Sequence, residues 1–351
     1  MSVFTPEYKL SINGVEYTDV AISDIAHQAG REDIYAQPTP SYLQITLVAL
    51  NNENYNFQIN DGMTLQVKDS TNTFKTLFGG NITDITTEVA SASSIAETFS
   101  YTIIALGSLA KLPKVIYDGT LARDDDGDQI YELLADLFLN NWNEVPAALQ
   151  WNTYNATETW ANAQNNGLGE IDRPGNYELA ARSSSRTDVY SLVSALATSG
   201  LGYIYENGQG QIGYADSTHR TNYLASNGYV ELTANHALAP GLSIQQRAGD
   251  VRNSITLKYD ATSSSEKSAS DTASIGLYGQ LAQIISTTLH NAADAQDQAD
   301  FYLSLRAYPQ FNFNNITFEL TNPELDDADR DDLIGVFMGM PVEIADLPLN
   351  M

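Results

Sequence analysis

A change of hydrophobic period near residue 111 constrains this chain more than any other feature. Up to Lys111, apolar residues recur at every second position. Tyr8, Leu10 and Ile12 alternate with polar neighbours, and so do Leu43, Ile45 and Leu47, then Met63, Leu65 and Val67, then Phe99, Tyr101 and Ile103. That spacing sends alternate side chains to one face of a pleated strand. Asn13-Gly14 supplies the two positive-φ residues of a tight hairpin, while Asp61-Gly62 and Gly79-Gly80 punctuate the later runs. Several short strands at such intervals predict a β-barrel or sandwich over residues 1–112.

Beyond residue 112 the period lengthens. Ile130, Leu133, Leu134, Leu137 and Phe138 fall on one stripe of an amphipathic helix, with Asp126 and Gln129 as its N-cap pair. Val189, Leu192, Val193, Leu196 and Ala197 form a second stripe, with Ser185-x-x-Asp188 as a capping box and Gly200 as the stop. Two aromatic strands around Asn207-Gly208 follow, so residues 113–247 read as a mixed helix-plus-hairpin domain. Residues 248–351 return to strands: NSITLKYD, then a Ser-rich solvated loop (ATSSSEKSASDTAS), then AQIISTTLH. Asn291 caps a helix that buries Ala295, Ala299, Tyr302 and Leu303 and ends before Pro309, and FNFNNITFELT reads as a long strand. The predicted fold class is α+β and β-rich, with two β-barrel-like domains flanking the mixed one. Val336 to Ile344 reads as the first strand of a hairpin without a return partner, which predicts an open edge closed by further residues or by another chain.

Charge and composition exclude several functions. Lys and Arg number 17 against 44 Asp and Glu, a formal net charge of −27, so the chain lacks the surface cations needed to grip nucleic acid or an anionic membrane. With no cysteine, it has no disulfide framework, thiolate metal site or cysteine nucleophile. Glu7 and Lys9 interrupt any signal-peptide core, and no apolar run approaches about 18 residues, so synthesis in a cytoplasm without membrane insertion is expected.

No catalytic motif stands out. The run Asp124-Asp125-Asp126-Gly127-Asp128 suggests calcium, but the sixth and twelfth places from Asp124 hold Gln129 and Ala135 where a calcium loop needs Gly and Glu. Helix capping is the simpler reading. Asp326, Asp327, Asp329, Asp331 and Asp332 read as the start and polar face of a short helix. His27, His219, His236 and His290 lie at no metal-ligand spacing from one another. Ser108-x-x-Lys111 matches a serine–lysine pattern without its companion K-T-G, and G-x-S-x-G, phosphate-loop and dinucleotide fingerprints are missing. No cofactor is expected. Trp142, Trp151 and Trp160 are evenly spaced and offer either a glycan-stacking platform or anchors for a loop-rich subdomain.

Three segments carry a family resemblance. YKLSINGVEYTDV with PTPSYLQITLVAL, DVYSLVSALATSGLGYIYENGQGQIGYAD, and NAADAQDQADFYLSLRAYPQFNFNNITFELTNPEL resemble tail hub or minor tail proteins of siphophages infecting actinobacteria. The resemblance implies a baseplate-hub fold, a homotrimer in which two barrel domains per chain mimic a six-fold ring, and no catalysis. The family's closing strands have no counterpart after GMPVEIADLP. By the same resemblance the chain would cap the tail tube at the distal tip of the virion. It would hold the tape-measure protein, contact a distal tail protein, mount receptor-binding or fibre proteins, and pass DNA without gripping it. Acidity suits such a channel, and Glu324, Asp326, Asp327, Asp329, Asp331 and Asp332 are the candidate lumen-lining groups. The alternatives are a glycan-binding tail adhesin and a tail-associated cell-wall glycosidase.

Overall fold

The structure, a computed structural model, describes residues 4–17, 20–33, 35–50, 53, 55–92, 97–136, 168–238, 242–260 and 265–347. It is α+β and β-rich. The period-two segments form β1 (Tyr8–Ile12), β2 (Val15–Tyr17), β3 (Ala21–Gly30), β4 (Thr39–Ala49), β5 (Gly62–Lys68), β6 (Phe74–Ala92) and β7 (Glu97–Leu106). They pair antiparallel in one sheet of order β2-β1-β5-β6-β7-β4-β3. Asn13 and Gly14, at φ 49° and 77°, close the predicted first hairpin. Strand β6 pairs with β5 through Asn81 and with β7 from Asn81 onward, and register shifts at Ile82/Asp84 and Val89/Ser91 bend it. The sheet therefore curls around one core: Leu10, Ile12, Leu43, Ile45, Leu47, Met63, Leu65, Phe78, Ile82 and Ile103 are buried together with Phe57 and Tyr101, which meet edge-on, and Tyr55 stacks on Phe57.

The middle of the chain is built from shorter pieces. β8 (Ile116–Tyr117) and β9 (Asp124–Asp125) lead into α1 (Asp126–Asp136), followed by β10 (Leu168–Ile171), β11 (Glu178–Leu179) and β12 (Thr187–Asp188). Then come α2 (Val189–Ser199), β13 (Tyr203–Glu206), β14 (Ile212–Ala215), α3 (His219–Asn227) and β15 (Val230–Thr233). The apolar stripes behave as their spacing predicts, since Ile130, Leu133 and Leu134 of α1 and Val189, Leu192, Val193, Leu196 and Ala197 of α2 are all buried. Leu137 and Phe138 lie outside the described residues.

The remaining elements are β16 (Ser243–Gln245), β17 (Ser254–Tyr259), β18 (Ser265–Ser270), α4 (Thr272–Tyr278), β19 (Ala282–Ser286), α5 (Ala292–Arg306), β20 (Asn312–Asn315), α6 (Asp327–Ile334) and β21 (Val342–Ala345). Helix α5 packs across β17 and β18. Its Ala295, Ala299 and Tyr302 join Ile255 and Leu257 in the same core as α1, α2, Ile204, Ile212 and Tyr214. One apolar core thus runs from Leu109 to Tyr302.

Five local expectations need correction. The C-terminal strand has a partner: β21 pairs in parallel with β15, Val230 opposite Val342, a long-range contact that no local pattern announces. Part of the Ser-rich stretch is the strand β18, whose alternation is muted because polar residues occupy both faces, Glu266, Ser268 and Ser270 outward and Ser265 and Lys267 inward, with Ala269 as its one buried apolar residue. FNFNNITFELT yields only the four-residue β20, paired with β16. Gly79 and Gly80 lie inside β6. The α2 N-cap is Asp188, accepting from the Ser191 N–H, and Ser185 makes no capping box.

Candidate functional site

The predicted acidic segment forms α6, and its chemistry is mostly spent inside the chain. Asp326 caps the helix and Asp329 reciprocates, a capping box that satisfies two end donors. Asp327 pairs at 3.1 Å with Arg330, a buried guanidinium that also donates to the Leu320 and Asn322 carbonyls. Asp331 accepts from the Ser70 N–H at 2.8 Å, which fastens α6 to the β5–β6 turn. Glu324, Asp326 and Asp327 are exposed, whereas Asp329, Asp331 and Asp332 are half-buried. Burial, then repulsion from Asp329, Asp331 and Asp326, raises the Asp332 carboxyl. Trp142, Trp151 and Trp160 lie outside the described residues.

A second convergence joins the N-terminal sheet to the β13–β14 hairpin. Glu206, at the end of β13, accepts from the Ser41 N–H at 2.7 Å and from the Leu109 N–H. Burial raises its carboxyl and these two bonds oppose the rise. Gln37 donates to Thr198 and Gly202, and Ser108 donates to the Gly210 carbonyl. Here backbone meets backbone: a Cβ on Gly79 would stand 2.2 Å from the Gln209 carbonyl oxygen, and one on Gly210 would stand 2.3 Å from that of Gly79. Both contacts exclude any side chain. NGQGQ is therefore a contact surface as well as a turn.

The third convergence lies among β10, β14 and the start of α3. Asp126 and Gln129, expected as a cap, instead tie α1 to its neighbours. The Asp126 carboxylate accepts from the Asn176 and Tyr177 N–H groups at 2.8 and 2.7 Å and from the Tyr214 hydroxyl, while Gln129 donates to the Ala122 and Ala180 carbonyls. Burial pushes the Asp126 carboxyl up to about 6 against the pull of those hydrogen bonds.

Glu170 and Asp172 alternate with Gly169 and Ile171 along β10 and the residue after it, so they share a strand face. Asp172 Oδ2 accepts from the Asp216 N–H at 3.0 Å and lies 2.8 Å from Nδ1 of His219, the first residue of α3. Glu170 Oε1 is buried and has no hydrogen-bond partner among the described residues. Burial first, then the Asp172 charge, pushes this carboxyl up to about 9. Tyr205 lies beside the His219 ring with centroids 6.5 Å apart, and Arg31 stacks over Tyr203 at 4.7 Å. One ligand atom from each of Glu170, Asp172 and His219 falls within 4.8 Å of the others. Sequence reasoning missed this group because its members are 47 and 49 residues apart across β10 and α3; the only local signal is the two acids on one strand face in GEID.

The sequence matches no family model and no curated protein. Among solved structures, the chain is similar to the tail protein from Neisseria meningitidis MC58 at 12% identity and TM-score 0.49, covering 86% of this chain and 77% of that one. It is also similar to prophage tail protein gp18 from Listeria monocytogenes EGD-e, at 10% identity and TM-score 0.44, covering 86% and 78%. A third similarity is to an E. coli component of the type VI secretion system, at 16% identity and TM-score 0.37, covering 68% and 56%.

Proposed function

We propose that the chain is a structural protein at the distal tip of a long non-contractile phage tail, a hub that caps the tail tube and mounts receptor-binding or fibre proteins. The observation that carries this reading is the resemblance of three separate sequence segments, spread over most of the chain, to tail hub proteins. The hydrogen-bonded seam around Glu206 suits a part that transmits load, because it locks the N-terminal sheet to the rest with charge-assisted bonds. In this reading the chain assembles as a homotrimer and contacts a distal tail protein and the tape-measure protein, with residues 1–112 as one domain and the segments 113–247 and 248–351 joined through their shared core. Electron cryomicroscopy of the particle that carries this chain tests the reading. Density for three copies at the tail tip is expected, and a chain found elsewhere in the particle sinks it.

The acidic residues of α6 and its approach would face the channel, where carboxylates repel the DNA backbone and keep it from sticking. Glu324 and Asp332 test this best, since they stand clear of the capping box, the Arg330 pair and the Ser70 contact. Glu324→Gln with Asp332→Asn should make DNA ejection slower or more salt-dependent. Unchanged ejection removes the channel assignment and leaves the hub reading standing.

A further inference from the structure

Three observations on Glu170, Asp172 and His219 point to a ligand. Their donor atoms converge, one from each residue within 4.8 Å of the other two. The Glu170 Oε1 atom is buried without a partner among the described residues, a position in which a carboxylate oxygen lacks the solvation it would have in water. The other two groups are held rigidly: the His219 and Asp172 side chains are 6% and 10% exposed, and the Asp216 N–H further fixes Asp172 Oδ2. The 2.8 Å contact with Asp172 fixes the orientation of the His219 ring.

We infer that Glu170, Asp172 and His219 form a binding site for one divalent transition-metal ion, with Zn2+ as the best match. One imidazole nitrogen and two carboxylate oxygens are a mixed donor set that favours zinc-like ions over Mg2+ and Ca2+, which take oxygen ligands. Three protein ligands leave a fourth tetrahedral position for water. Metal–ligand bonds of roughly 2.0–2.2 Å bring the donor atoms to about 3.5 Å from one another. Asp172 Oδ2 and His219 Nδ1, 2.8 Å apart, therefore open slightly to admit the ion, and Glu170 completes the set by rotation of its side chain, which among the described residues no hydrogen bond to Oε1 holds back. Bound there, the ion clamps β10, an outer strand of the β10-β14-β13 sheet, to the first turn of α3. This clamp goes beyond the tail-hub reading and does not depend on it.

The experiment uses the full chain, stripped with a chelator and titrated calorimetrically with ZnCl2, then with MgCl2 and CaCl2 in the same buffer. One tight Zn2+ per chain is expected, with no comparable Mg2+ or Ca2+ binding. Glu170→Gln and His219→Gln should each weaken the zinc affinity by at least about tenfold. Because the chain carries 44 carboxylates, zinc uptake alone proves little. Tight binding that both variants leave unchanged overturns the site, and so does the absence of tight binding. Should His219→Gln fail to fold, Glu170→Gln and the parent still decide the matter through thermal melts. Zinc should raise the melting temperature of the parent by more than that of Glu170→Gln; an equal rise in both overturns the proposal.

Discussion

The N-terminal sheet and the rest of the chain hold themselves together in different ways. In the sheet, strands of up to 19 residues put alternate apolar side chains on one face, and the buried polar side chains Asp69 and Asn81 bond within this region: Asp69 accepts from the Thr71 and Thr73 N–H groups of its own turn, and Asn81 donates to the Asn60 carbonyl. In the remainder, strands of two to six residues surround α1, α2 and α5, and buried polar side chains join segments far apart in sequence. Asp126 reaches Asn176, Tyr177 and Tyr214, and Gln298 donates to the Ser199 carbonyl. Regular alternation leaves little for polar side chains to do, because ladder bonds satisfy the backbone. Short strands leave backbone groups unpaired, and carboxylates and amides must reach them.

If the two regions are energetically distinct, a charge placed in one core should spare the other. Leu134 is fully buried in the second core, so Leu134→Asp leaves an unpaired carboxylate there at a cost of about 4 kcal/mol or more. Differential scanning calorimetry should show the second region losing cooperative unfolding while the N-terminal sheet keeps a transition of its own. A single transition, merely shifted, would show that the seam couples both regions into one unit.

The polar half of the comparison is probed by Asp126→Ala. This truncation strands two backbone N–H groups and a tyrosine hydroxyl that are otherwise satisfied, and should cost about 2–4 kcal/mol in urea unfolding. Ser11→Ala in the N-terminal hairpin, where the hydroxyl donates to a nearby carbonyl, should stay within about 0.5 kcal/mol. Equal costs would erase the distinction drawn between the regions.

The same contrast explains what could be read in advance. The N-terminal strands follow from period-two spacing and from Asn13-Gly14, both local signals. The buried faces of α1 and α2 follow from their stripes for the same reason. Asp126 was legible as a residue at a helix start, but its partners at 176, 177 and 214 are set by tertiary packing. The pairing of β15 with β21, the gathering of Glu170 and Asp172 with His219, and the role of Glu206 are likewise products of chain return. Serine-rich β18 failed differently: its composition resembles solvated loop, and pairing with β17 overrides it.

The glycine contact tests whether the seam is as rigid as its backbone contacts require. Gly79→Ala places a methyl group against the Gln209 carbonyl, where the obstacle is main chain rather than a side chain that can turn away. Overpacking of this kind costs about 1–3 kcal/mol. The loss should appear as weaker coupling between the two calorimetric transitions, with the N-terminal core unaltered. A methyl accommodated without any change in coupling would mean that the hairpin tip moves freely over β6.

The smallest expected effect concerns the sign of pH dependence, which should be opposite for one buried carboxyl in each region. Burial raises Asp126 to about 6, above the usual carboxylate value, so the folded state takes up its proton first. The stability from this group therefore grows as pH falls from 7 through 6 toward 4, by about 1 kcal/mol between pH 7 and pH 5. Asp126→Asn cannot titrate and should lack that growth. Asp69 is shifted the other way: the Thr73 N–H, then the Thr71 hydroxyl and N–H, outweigh its desolvation and hold it below the ordinary value. Its contribution is fully present above the unfolded-state pKa near 4 and is lost as pH falls through the lower folded value. Asp69→Asn should thus differ most from the parent at neutral pH and converge on it in acid. Because lowering the pH also relieves the self-repulsion of a chain at −27, each variant is read as a difference from the parent, by urea midpoints at pH 7, 5 and 3.5. Curves that diverge from the parent with the same sign would show that global charge, and not the local setting of each carboxyl, governs the acid response of both regions.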